Sequence, residues 1–134
     1  MFLQPSAANG MAGSTKMETM STLVALPIDA RLQAMAEVIH GVIPGSEVRL
    51  FGSRAKGTAG PESDIDLLIT APDAWLEGRN RFEVLNQLWA LLACADVSLD
   101  LLLYSERECE VRREWRSHVI SRAFREGRLL DGAL

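Results

Sequence analysis

The sequence predicts an α+β domain: a small mixed β-sheet with helices packed on one side. Short apolar runs bounded by turn formers recur at residues 47–51, 65–69 and 97–103 and read as strands. Three longer stretches carry apolar residues three or four apart and read as amphipathic helices. The chain has 134 residues, 48% of them apolar, which fits one compact domain with a sizeable core.

Residues 1–22 are rich in Ala, Ser, Thr, Gly and Met and lack a hydrophobic period, which predicts a disordered tail ahead of a domain over residues 23–134. Met11, Met17 and Met20 are each candidate starts. From Pro27 a helix is expected, because Ile28, Leu32, Met35 or Ala36, and Ile39 share a face; Gly41, Pro44 and Gly45 end it. Glu47–Phe51 then reads as a strand that Gly52-Ser53 breaks in a tight turn.

Gly60 and Pro61 lead into the next strand, where Ile65, Leu67 and Ile69 alternate. Residues 72–78 read as a connection, with Trp75 as an exposed ring able to stack on a base or meet a partner. A second helix follows, with Phe82, Leu85, Leu88, Trp89 and Leu92 expected as its buried stripe. The third strand runs over Val97–Leu103. A last helix is expected from Ser105 to Glu126, opened by a Ser105/Glu108 capping box and stopped by Gly127. Val111, Trp115, Val119 and Ala123 would form its apolar face.

Asp64 and Asp66 carry the chemistry. Residues i and i+2 of a strand point to the same face, so the two carboxylates project side by side. Unrelieved, they repel each other and raise each other's pKa, and a divalent cation removes that cost. Hard oxygen ligands suit Mg²⁺, which takes one or two carboxylates plus phosphate oxygens of a substrate.

The turn before them supplies the phosphate side. Gly52 allows close backbone approach, while turn amides, the Ser53 hydroxyl, Arg54 and Lys56 form a candidate cradle for a polyphosphate. Asp100 stands alone in the apolar run of residues 97–103 and is the candidate third carboxylate; Asp96 reads as a turn residue. If the Asp100 strand lies beside the Asp64 strand, two ions roughly 3.5–4 Å apart would clamp an in-line displacement.

Gly52-Ser53, ten intervening residues, then Asp64-Ile65-Asp66 resembles the signature of the polymerase β-like nucleotidyltransferase superfamily. The string from Phe51 to Ile69 is most similar to its minimal, single-domain branch, antitoxin-like members included. The resemblance spans roughly residues 28–130. It implies that Asp64, Asp66 and Asp100 bind two Mg²⁺ ions, that Asp100 activates an acceptor hydroxyl, and that Gly52 and Ser53 hold a nucleoside triphosphate. The implied reaction transfers a nucleoside monophosphate, AMP from ATP, to a hydroxyl. Minimal members of the family are frequently paired with a HEPN toxin, so the resemblance implies a tyrosine of such a partner as the acceptor; separately, a chain with no second domain expects an acceptor that brings its own binding surface.

Composition narrows the alternatives. Fourteen Lys and Arg against 18 Asp and Glu give a net charge of −4, which disfavours general nucleic-acid binding. No stretch approaches the ~18 continuous apolar residues of a membrane span, and no signal sequence opens the chain, so a cytoplasmic protein with reduced Cys94 and Cys109 is expected. His40 and His118 read as helix-surface residues, and Arg113 with His118 matches the Arg-x4-His spacing of HEPN ribonucleases only by coincidence. Two rival readings remain. One is a small-molecule transferase similar to the aminoglycoside-modifying relatives; the other is a non-catalytic, nucleotide-binding antitoxin subunit.

Overall fold

The structure, a computed structural model, describes residues 26–58, 60 and 64–130. The tail expected over residues 1–22 and the candidate starts lie outside the described residues, as do Pro61 and Ser63.

Helix α1 spans Ile28–Val42 and buries Leu32, Met35, Ala36 and Ile39, the face expected from their spacing. Gly41 stays inside it; the reversal falls instead at Gly45, whose φ of 81° leads into strand β1, Glu47–Phe51. A one-turn helix α2, Ser53–Lys56, occupies the expected tight turn. Strand β2, Ile65–Ala71, follows. A second one-turn helix, α3 at Asp73–Leu76, lies within the expected connection. Helix α4, Arg81–Leu92, is capped by the Asn80 side chain. Strand β3 is Leu99–Ser105, two residues later than the expected run.

The four-stranded sheet has the order β3-β2-β1-β4, where β4 is Arg128–Leu130. β1 runs antiparallel to β2 and β4, while β2 and β3 are parallel, joined by the crossover that parallel strands require. The predicted mixed sheet is therefore present. β4 had no sequence signal of its own, because three residues are too few to show a period.

Alternation sorts β2 between two cores. Ile65, Leu67, Ile69 and Ala71 face α1 and α4, packing with Leu32, Ile39, Leu88 and Leu92. Each such fully buried Leu or Ile contributes about 1.5–3 kcal/mol. Leu68 points the other way, into a smaller cluster with Phe51, Cys109, Ile120 and Ala123. That second cluster corrects the expectation of helices on one side only. The two long helices do share one face, but helix α5, Glu106–Arg112, and helix α6, Val119–Glu126, cover part of the opposite face.

The expected single helix from Ser105 to Glu126 is thus two. Straight, 22 residues would reach about 33 Å, past the about 23 Å of a seven-residue strand, so the chain breaks to stay over the sheet. His118 restarts the helix, its Nδ1 accepting from the Ile120 amide at 3.1 Å. The break leaves Val111 and Trp115 exposed, against expectation, and only Ala123 of the anticipated face is buried. The Ser105/Glu108 capping box and the Gly127 stop are both present. Gly127 has an ordinary φ; it is needed because a β-carbon there would press on the carbonyls of Ala123 and Leu50.

The stripe expected on α4 is also rotated. Val84, Leu88 and Leu92 are buried, Leu85 is partly covered, and Phe82 and Trp89 are exposed. Val84 lies four residues before Leu88, so the sheet-facing line runs one position away from the aromatic one. Trp75 is not a free loop ring but sits half-buried on α3 against the core, with the Arg79 guanidinium 4.0 Å from its centroid. Asp96 holds its expected turn and accepts from Arg31 Nη1 at 3.0 Å with both carboxylate oxygens. His40 Nδ1 lies 3.3 Å from Ser46 Oγ.

Candidate active site

The face of the sheet carrying Leu68 also carries the acidic residues. Parallel register sets Asp66 opposite Asp100, and antiparallel register sets it opposite Phe51, the residue before Gly52. Asp64 lies just ahead of β2, near enough for its charge to raise the Asp66 pKa. The sheet thus lines up, in order across its strands, the Gly52 bend, Asp66 and Asp100.

Asp66 is half-buried, whereas Asp64 and Asp100 are exposed. Burial, then a hydrogen bond with Asp100 and the charges of Asp100 and Asp64, push the Asp66 pKa up to about 6. Two carboxyl groups this close share a proton more readily than they ionise together. A hard cation between them would offset both burial and repulsion, so the donor set fits Mg²⁺. Among the described residues, no three or more His, Cys, Asp or Glu side chains form a ready-made metal cage. A site of paired carboxylates completed by substrate oxygens is the arrangement magnesium uses most.

Gly52 adopts φ 79° and ψ −159°, a region open almost only to glycine. A β-carbon at this position would overlap Asp66 Oδ2. The bend therefore brings bare backbone against the acidic pair, and no side chain fills the space between. The ladder of α2 begins with the Ala55 and Lys56 amides on Gly52 O, both at 3.2 Å, so the Ser53 and Arg54 amides precede it. Thr58 N donates to Ser53 O at 3.0 Å and closes the turn.

Of the sequence candidates, Gly52, Asp66 and Asp100 come together, Asp64 acts on Asp66 through its charge without joining them in a three-carboxylate group, and Ser53 and Arg54 open the adjoining helix. Lys56 is turned toward α6, its Nζ 3.3 Å from Glu126 Oε1, an ion-pair separation without hydrogen-bond alignment. Its charge is thereby partly committed to Glu126. Glu126, the partner of Lys56, carried no functional signal in the sequence, where it read as the end of a helix.

The family described as "Nucleotidyltransferase domain" matches residues 40–129. That span contains every candidate site residue. No curated protein matches the chain. A crystal structure of a candidate nucleotidyltransferase from Sulfolobus solfataricus is 22% identical, with 80% of this chain and 85% of that one covered at a TM-score of 0.45.

Proposed function

The chain belongs to the nucleotidyltransferase domain family, and from that premise we propose that it transfers AMP from ATP to an acceptor hydroxyl in a Mg²⁺-dependent reaction. The observation that carries the reading is the register of Asp66 opposite Asp100, beside a bend with no side chain between.

Asp64, Asp66 and Asp100 would hold the metal, which when bound supplies charge neutralisation for the transferred phosphoryl group. The protein's own residues position the reactants. The Gly52-Ser53 backbone and the Ser53 hydroxyl receive the triphosphate, with Arg54 adding positive charge. Gly52 keeps the approach to Asp66 open. Asp100 Oδ accepts the proton of the acceptor hydroxyl.

The acceptor in this reading is a tyrosine of a partner HEPN toxin, and the protein works in the cytoplasm as its antitoxin. Two features support a large acceptor. Asp100 is solvent-exposed, and β3, which carries it, is an edge strand of the sheet. Incubation with labelled ATP, Mg²⁺ and the partner should add AMP to a tyrosine, read by mass spectrometry. An unmodified partner would remove the antitoxin reading, and no AMP transfer to any hydroxyl would remove the enzyme reading.

A further inference from the structure

Glu126 stands at the corner where α6 hands the chain to β4, and that corner is pinned. Gly127 N donates to Ala123 O at 2.9 Å, and a β-carbon at Gly127 would press on Leu50 O and come within 3.3 Å of Phe51 Cβ. β4 then sets Arg128 opposite Leu50. The residue after Glu126 therefore lies against the last two residues of β1, which lead directly into the Gly52 bend. A carboxylate is thus built in beside the place proposed for the triphosphate, where one negative charge repels another.

Its counter-charge stands on a shorter support. Lys56 ends α2, a helix of four residues set between Gly52 at φ 79° and Gly57 at φ 78°. It follows Ser53 by three positions, so the two side chains are neighbours on the surface of that turn. The contact with Glu126 is incomplete. Nζ lies 3.3 Å from Glu126 Oε1, yet that oxygen is buried and accepts no hydrogen bond among the described residues. A buried carboxylate oxygen without a donor is costly, and the half-exposed Lys56 side chain is held only weakly. The ammonium supplies charge to Glu126 without a well-aligned bond, and phosphate oxygens at Ser53 offer it a better set of acceptors.

We propose that Glu126 and Lys56 form a latch over the phosphate bend. Before a nucleotide arrives, Glu126 holds the Lys56 ammonium aside; when a triphosphate settles at Gly52-Ser53, the ammonium leaves Oε1 for the phosphate oxygens. Glu126 touches no substrate and acts through Lys56 as a positioning residue. Because the ammonium has to be drawn off Glu126 first, the pair lowers the affinity of the site, and a ligand without phosphate does not open it. The inference rests on the nucleotidyl-transfer reading above and names how its site admits the triphosphate.

Lys16 and Lys56 are the chain's two lysines, so the methylene groups beside Nζ give two NMR signals in the full chain, and Lys56→Met assigns one of them by its loss. Mg·ATP should move the Lys56 signal saturably, while adenosine should leave it in place. Glu126→Gln should move the same signal before any ligand is added and tighten Mg·ATP binding by about three- to fivefold, the worth of a partly exposed pair. In the Lys56→Met background the same substitution should add little. A Lys56 signal unmoved by Mg·ATP, or moved equally by adenosine, overturns the latch. So does weaker binding in Glu126→Gln, or a gain of full size in the Lys56→Met background, which would be plain repulsion by Glu126. Should Glu126→Gln fail to fold, the response of the parent to Mg·ATP and adenosine still decides. Mg·ATP shifts at the Gly52 and Ser53 amides report on the transfer reading separately. Such shifts with a silent Lys56 sink the latch alone, and silence at all three residues sinks the two together.

Discussion

Asp66 and Asp100 stand opposite each other on neighbouring parallel strands, close enough for their carboxyl groups to share a proton. The Asp66 pKa is raised from 3.8 to about 6, so its contribution to stability is complete below the unfolded value and is lost as pH rises through about 6. In the presence of chelator, Asp66→Asn should therefore gain in melting temperature relative to the parent between pH 4 and 7. Parallel melting curves over that range would mean that the pair is not strained.

Gly52 touches Asp66 so closely that any side chain must displace it. Gly52→Ala should cost about 1–3 kcal/mol from the positive φ and abolish AMP transfer. Gly57→Ala provides the control, since φ there is 78° but nothing lies within 4 Å of the added carbon. It should lose comparable stability in a urea melt and keep its transfer activity. Full activity in Gly52→Ala would show that the close approach does not matter.

ATP should bind with measurable heat only when Mg²⁺ is present. Asp64→Asn should abolish transfer with a melt near that of the parent, because the side chain is exposed and supports no core contact. Equal ATP affinity with chelator would count against the metal role of the carboxylates, and a collapsed fold in Asp64→Asn would make the residue structural.

Glu108 ties three elements together at the far end of the sheet. It accepts from Arg81 at 2.8 and 2.9 Å and from the Ser105 amide at 2.9 Å. Glu108→Ala should lose about 1 kcal/mol without affecting transfer. The Arg81 bond holds the Glu108 carboxyl below its usual 4.5, so this stabilisation is present above that value and is lost as pH falls through the lowered one. The difference between parent and variant should shrink in acid; a difference independent of pH would assign the effect to packing.

The first three strands and the Asp64/Asp66 pair were legible because they rest on local rules. Period-two alternation marks Ile65, Leu67 and Ile69, and the same period sets Asp64 and Asp66 on one face. Glycine at residue 52, followed by the spacing to Asp64, carried the resemblance. The capping box at Ser105 and Glu108 was likewise local, since both of its bonds close within four residues.

Tertiary structure alone decided the pairing of β3 with β2, and hence whether Asp100 meets Asp66, because register depends on a crossover of more than 25 residues that no local pattern encodes. It also turned Trp89 outward and broke the last helix at residues 113–118. Helical periodicity restricts burial to a stripe but leaves its rotation open by a residue in either direction; the neighbouring sheet selects among those rotations by the area each one removes from water.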